Sequence, residues 1–300
     1  MNSTEVAAFS YSTPVVEDVS SSGASAAEMP VERRLLYAGI SLLAGGLSVL
    51  VNGCSGVLVQ RLPTTRGTAF SMLSSSMACA DCVSSALVAF WVAPLTYTQA
   101  VELSRSRAGV YVASLAMFTQ AASVLNLLAI ALNRALAMAV PAKCSSVFFT
   151  ARNTKAVIAL IWTLALLAYL RCLPAGCGFH YEPETLAWSW AAEACGRWNA
   201  VWLDARFTTS CIASVLLFNV KVLAQINRAT DKVEARRRRH QEINFLIMTV
   251  LNVLAWFVAL FGFNYVLYWV DTSIGIYLAN TFSWTTALSS NGCNATRTEV

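Results

Sequence analysis

Seven apolar runs, each long enough to cross a bilayer, constrain this chain more than anything else in it. They lie at roughly 35–60, 69–93, 108–139, 154–174, 203–227, 242–268 and 272–291. About 20 residues at 1.5 Å rise per residue cross about 30 Å of hydrocarbon. No water there serves a free backbone group, so runs of this length must be helices. Only 12% of the 300 residues are charged, where a soluble domain carries roughly 25%. The expected fold is an all-α membrane protein, a seven-transmembrane helix bundle spanning 35–291. Residues 1–34 are Ser/Ala/Thr-rich with no apolar segment and read as a disordered extracellular tail. Residues 292–300 read as a short cytoplasmic tail. No internal repeat is visible, which weighs against a transporter built from inverted repeats.

Lysine and arginine in the connections set the orientation. One side holds Arg61, Arg66, Lys143, Arg152, Lys155, Arg228, Lys232, Arg236 to Arg239 and Arg297. The other holds Arg33, Arg34, Arg105, Arg107 and Arg197. Twelve against five puts the first side in the cytoplasm, the N-terminus outside and the C-terminus inside. The basic residues fall between apolar runs instead of forming one face, so nucleic acid is not an expected partner. Arg236 to Arg239 read as an anchor beside acidic membrane lipids, with contact to a cytoplasmic protein as a second use. The last residues, Thr298-Glu299-Val300, match a carboxyl-terminal ligand of PDZ domains, in which Val300 would be buried.

The nine cysteines do not form a metal pattern. Cys79-x-x-Cys82 lies inside an apolar helix with no second pair, and His180 and His240 are far apart, so no metal is expected. Cys177 and Cys195 flank one outside loop and are candidates for a disulfide. Trp188, Trp190, Trp198 and Trp202 lie in or beside that loop. They read first as an interfacial aromatic belt, with a lid over an outward-facing pocket as the alternative.

Ionisable groups inside apolar runs are functional candidates. Asp81 falls mid-run in "MACADCV", and Arg134 falls near the end of "SVLNLLAIALNRALAMAVP". A carboxylate at that depth must be protonated, paired, or bound to a cation or water. Asn52 in the first run and Ser123 in the third could surround Asp81 with polar partners, or all three could serve packing alone. Aromatics in "FVALFGFNYVLYW" (Phe257, Phe261, Phe263, Tyr265 and Tyr268) could line a ligand pocket, although an aromatic stripe more often packs or meets lipid. Few charges occur in the outer halves, mainly Asp204 and Arg206, which favours a small, mostly apolar ligand.

The order of these segments resembles that of rhodopsin-like G-protein-coupled receptors over about residues 35–290. "VLVNGCSGV" is similar to their helix-one Asn segment, "MACADCV" to the helix-two Asp segment, and Asn133-Arg134-Ala135 to the helix-three Asp-Arg-Tyr. Trp162 matches the helix-four tryptophan. A closer resemblance is to the nematode serpentine chemoreceptors of class X. It rests on Asn-Arg at 133–134, "RRRRHQEINFLI" leading into helix six, "CGFHYEPETLAWSW" in the outer loop and "TFSWTTAL" in helix seven.

This resemblance implies a multi-pass plasma-membrane receptor, with sensory cilia as one location, for an external small molecule or peptide, coupled to a heterotrimeric G protein. Arg134 would contact the G protein and pair with Glu242 at rest. Asp81, Asn52 and Ser123 would form a sodium pocket, with no other cofactor. There are departures. Gly109 stands where such receptors carry a helix-three cysteine, helix five lacks its proline, no proline closely follows Trp256, and helix seven lacks Asn-Pro-x-x-Tyr. They leave a divergent, non-signalling receptor as one alternative and a channel or transporter as another. An opsin is excluded by the absence of lysine from 272–291. An intramembrane enzyme is not expected either, because no paired acids or Ser/His pair stand mid-helix.

Overall fold

The computed structural model describes residues 29–61, 66–139, 150–228, 233–264, 266, 269–270 and 272–297. For 139, 226–228, 233–242, 244–245, 248, 264 and 291–297 it describes the backbone only. Tyr265, Tyr268, Val300, the side chain of Glu242, those of Arg236 to Arg239 and most of the N-terminal tail therefore lie outside what is described.

Seven long helices form the bundle: α1 (Val31–Arg61), α2 (Ala69–Thr98), α3 (Arg107–Ala139), α4 (Ala151–Arg171), α5 (Ala194–Asn199, continued by Ala200–Arg206 and Phe207–Arg228), α6 (Val233–Asn264) and α7 (Ser273–Tyr277, continued by Leu278–Phe282 and Ser283–Arg297). All of the helices but α4 are longer than their apolar runs. α5 starts nine residues earlier than its run, α6 gains the basic turns before it, and α7 runs on through Arg297. The boundaries expected at 34/35 and 291/292 therefore both fall inside helices. Threonines start three of them: Thr68, Thr150 and Thr272 accept from the backbone N–H groups of Ser71, Asn153 and Gly275 at 3.2, 3.2 and 3.3 Å.

α3 is the central helix, with two-thirds of its apolar window buried, while α4 buries 17%. Exposed leucines and valines line the outer faces of α1, α4 and α5, among them Leu43, Leu47, Leu160, Leu167, Leu217 and Val220. The interior meanwhile holds fully buried Asn52, Asp81, Ser84, Ser85, Ser114, Ser123 and Asn126. Apolar outside and polar inside is the arrangement that lipid favours and water does not. Five helices are long and apolar enough to span by composition alone, and a shorter apolar helix covers Thr249–Phe263.

α2 is a hub of small hydroxyls. Ser85 bonds Ser48 of α1 at 2.7 Å, Ser84 bonds Thr119 of α3 at 2.6 Å, and Ser76 accepts from the Trp162 indole of α4 at 3.0 Å. Small residues let α1 approach α2 closely: a Cβ on Gly45 would lie 2.8 Å from both the Ala89 nitrogen and the Ser85 oxygen.

Three helices contain a π-helical stretch: Val88–Val92, Ala200–Arg206 and Leu278–Phe282. The first precedes Pro94, whose ring a regular helix accommodates poorly. The other two contain no proline and hold Asp204 and Asn280, both buried. Among the described residues the all-α expectation has one exception, an antiparallel hairpin of β1 (Phe179–Glu182) and β2 (Ala187–Trp190), with Tyr181 opposite Trp188.

Candidate ligand cavity and polar core

The hairpin closes one end of the bundle. A disulfide joins Cys177 before β1 to Cys195 in the first turn of α5. Thr96 of α2 bonds the Tyr181 hydroxyl at 2.9 Å, and Gln99 donates to the Pro183 carbonyl at 3.0 Å. Ser104, in the one-turn helix Val101–Arg105, donates to the Tyr181 carbonyl. From α7, Thr281 donates to the Leu186 carbonyl at 3.0 Å and the Asn280 amide oxygen accepts from the Trp188 backbone N–H at 3.1 Å. Glu182 meets His180 at 3.2 Å and Arg105 at 3.5 Å. The His180 hydrogen bond, aided by the charges of His180 and Arg105, holds the Glu182 carboxyl below its usual range against the opposing effect of partial burial.

Beneath the hairpin lies a small cavity. α3 contributes Gln120 and α5 contributes Asp204. α6 contributes Trp256, Ala259, Leu260 and Phe263, α7 contributes Asn280 and Trp284, and the hairpin supplies Phe179 and Trp188. The α6 residues follow the i, i+3, i+4, i+7 spacing of one helical face. Trp188 stacks on Phe179 at 5.2 Å and meets Trp284 edge-on at 5.3 Å. Space for water-sized molecules is about 30 Å³, room for about two waters. Any larger ligand must push these walls apart. Gln120 acts as a hydrogen-bond donor to Asp204; the Trp190 indole also approaches the carboxylate, but off regular hydrogen-bond geometry.

Phe257 and Phe261 do not line this cavity; with Trp202, Arg206 and Ile212 they line a separate groove of about 600 Å³ between α5 and α6. They are 57% and 49% exposed, stack on each other at 6.1 Å and face outward. Trp256 and Phe263 take the inward face instead. Of the loop tryptophans, Trp188 is buried and belongs to the lid. Trp198 and Trp202 are exposed at the rim, as a belt requires, and stack with Arg171 and Arg206 at 4.0 and 4.1 Å. Gln120, Asn280 and Trp284 were not singled out from the sequence. Gln120 carried the same signal as Asp81, a polar side chain inside an apolar run.

Asn52, Asp81 and Ser123 are all fully buried, on α1, α2 and α3. The Asn52 amide donates to the Ser48 carbonyl at 3.0 Å and to the Leu288 carbonyl at 3.2 Å, which ties α1 to α7. Ser84 and Thr119, bonded to each other, stand one turn from Asp81 and Ser123. The amide oxygens of Asn52 and Asn126 are buried with no partner among the described residues. Carboxylate, hydroxyl and amide oxygens are the donors a hard cation takes, so the residues present fit a sodium ion.

At the opposite end of α3, Asn133 is buried and Arg134 is half-buried, its guanidinium 4.8 Å from the centre of the Phe70 ring. The arginine thus has an aromatic partner on α2.

Residues 47–294 match the family model described as serpentine type 7TM GPCR chemoreceptor Srx. The chain belongs to the Srx family. The family is one of multi-pass membrane receptors and not of enzymes, which favours a receptor over a channel or transporter. The Srx chain is also similar to the crystal structure of squid rhodopsin, with a TM-score of 0.70 and 13% identity over 90% of this chain and 82% of that one. At that identity the likeness shows the rhodopsin fold alone. A comparison with curated proteins gives no match.

Proposed function

We propose that this Srx chain is a plasma-membrane chemosensory receptor that binds an external ligand beneath the hairpin and activates a heterotrimeric G protein at the Arg134 end. The observation that carries this reading is the cavity enclosed by α3, α5, α6 and α7 under a disulfide-tethered lid, at the far end of α3 from Arg134. A disulfide belongs to an oxidising compartment, so it supports the hairpin end being outside. The lysine and arginine distribution supports the same orientation, with the N-terminal tail outside and the C-terminus in the cytoplasm.

A ligand entering the cavity would press on Trp256 and Trp284 and shift α6 against α7, because the resting space is too small to hold it. Binding energy that is larger in the shifted state moves the equilibrium toward it. Outward movement of α6 would expose Arg134 to the G protein, with Arg236 to Arg239 beside it. Glu242 would pair with Arg134 at rest, Val300 would anchor the tail to a PDZ protein, and the receptor would reside in sensory cilia.

The test is expression of the full chain with a promiscuous G protein and a chemical library. The expected result is a ligand response that Arg134→Ala lowers several-fold at equal surface level, with Glu242→Gln raising basal activity. Ligand-gated current without G-protein dependence would overturn the reading.

Asp81 and Ser123 would hold a sodium ion, whose charge would balance the carboxylate in the resting state. Replacing external sodium with choline should then raise the agonist response several-fold, and Asp81→Asn should remove that sensitivity. A parent receptor indifferent to sodium would leave Asp81 a packing role only.

A further inference from the structure

Four residues that line the cavity carry a buried side-chain N–H donor with no acceptor among the described residues. The indole nitrogens of Trp188, Trp256 and Trp284 and the side-chain nitrogen of Asn280 are buried without a hydrogen-bond partner among the described residues. All four side chains line the same cavity. An indole N–H can only donate, so no tautomer or flip relieves it. The Asn280 amide is held in place because its oxygen accepts from the Trp188 backbone N–H at 3.1 Å, which leaves the NH₂ as the unmet end. Buried donors left unmet are costly, and space for about two waters cannot serve four donors spread over the hairpin, α6 and α7.

The cavity is equally one-sided in charge. Asp204 is buried on its wall. The nearest arginine in sequence, Arg206, lies over the Trp202 ring at the rim. Among the described lining residues there is no lysine, arginine or histidine. An anionic ligand would meet a carboxyl group and no counter-charge in a low-dielectric space. The remaining walls are aromatic or aliphatic, Phe179, Leu260 and Phe263 among them.

We infer that this cavity takes a compact, largely aromatic or alicyclic molecule that carries two or more hydrogen-bond acceptors and no negative charge. Ketone, ester, lactone and ring-nitrogen groups meet that description. The acceptors would satisfy the indole and amide N–H groups, and the apolar body would pack against the aromatic walls. A hydrocarbon of the same shape would displace the waters and leave the donors unmet. A site built to hydrogen-bond a ligand discriminates strongly against the analogue that lacks the group. This ligand class rests on the proposal that the cavity is the ligand site.

The test uses the purified full chain in nanodiscs and three matched probe series: aromatic and alicyclic diesters, diketones and lactones, the hydrocarbons of the same shape, and the corresponding carboxylates. Affinity is read by thermal stabilisation and by indole fluorescence. The expected result is that the neutral acceptor series binds at least tenfold more tightly than the other two. Trp284→Phe and Trp256→Phe keep a ring and remove a donor, so each should narrow the gap to the hydrocarbons several-fold by weakening the acceptor series more than the hydrocarbons. If either variant fails to fold, the three-series comparison on the unaltered chain still decides. Tightest binding by carboxylates, equal binding by hydrocarbons, or no binding in any series overturns the inference. The readout needs no G protein. Acceptor binding without signalling would sink the receptor proposal alone, and signalling driven by carboxylates would sink this inference alone.

Discussion

Gly262→Ala should lower the receptor's melting temperature and yield sharply, although it adds a single methyl group. A Cβ at Gly262 on α6 would lie 2.3 Å from the Ala279 carbonyl oxygen and 3.2 Å from its carbon on α7. Both atoms are backbone, and Ala279 lies within the π-helical stretch Leu278–Phe282, so no side-chain rotation relieves the overlap. α6 and α7 must separate instead. Overpacking commonly costs about 1–3 kcal/mol, and a backbone overlap belongs at the upper end, about 3 kcal/mol. That is roughly a hundredfold in the folding equilibrium. The neighbours of the two contact residues, Phe263 and Asn280, line the cavity, so the surviving fraction should also bind ligand poorly. The measurement is the monodisperse fraction and melting temperature in detergent. Gly46→Ala is the control, since nothing lies within 4 Å of a Cβ there. Equal yields for the two variants would refute the close approach of α6 and α7.

The bundle was legible because lipid imposes one rule on every span. Apolar length marked all seven helices. The seventh helix was harder to delimit, because its inward face carries Asn280, Thr281, Ser283 and Thr285, which lower its hydropathy. The hairpin was unreadable as strands: four-residue segments of aromatic and polar residues lack the length that distinguishes a strand from an interfacial loop.

The cavity was only partly legible, for a physical reason. In water the apolar face of a helix points inward, so periodicity gives orientation. In lipid both faces of α6 are apolar. Phe257 and Phe261 on one face and Trp256 and Phe263 on the other were equivalent choices, and only tertiary packing separated them. Polar residues in apolar runs kept their signal, since each has to be buried. Asp81, Asn52 and Ser123 are all interior, and Gln120 was detectable on the same grounds. Asp204 was visible as a charge, but the π-helical stretch that holds it in the cavity wall has no sequence marker that we recognise.

Replacing Cys177 and Cys195 together with serine should open the lid before it loosens the bundle. The bridge closes a separation of 18 residues, and loop-closure entropy for a loop of that size gives about 3 kcal/mol. Hydrogen bonds from Thr96, Thr281 and Asn280 hold the hairpin itself to α2 and α7. The segment from Ala191 to Asn199 depends more directly on the bridge. Its other ties include the Ala191 and Gly196 N–H bonds to Gly178 and Gly176, both 2.9 Å, and the Asn199 amide bond to the Cys177 carbonyl at 3.0 Å. These three cluster around Cys177 and should weaken together, leaving the contacts of Trp198 and Asn199 with Arg171 as the remaining hold on α4. Fraying would then run through the first turn of α5 into the π-helical stretch and displace Asp204 from the cavity wall. Hydrogen exchange should rise over 194–206 and stay unchanged near Arg134. Ligand potency should fall at least tenfold, and reductant should reproduce both effects on the unaltered chain. Cys54→Ser, which changes an exposed free thiol on α1, should do neither. Exchange over 194–206 that is indifferent to the bridge would show that the hairpin hydrogen bonds alone fix the entrance to α5.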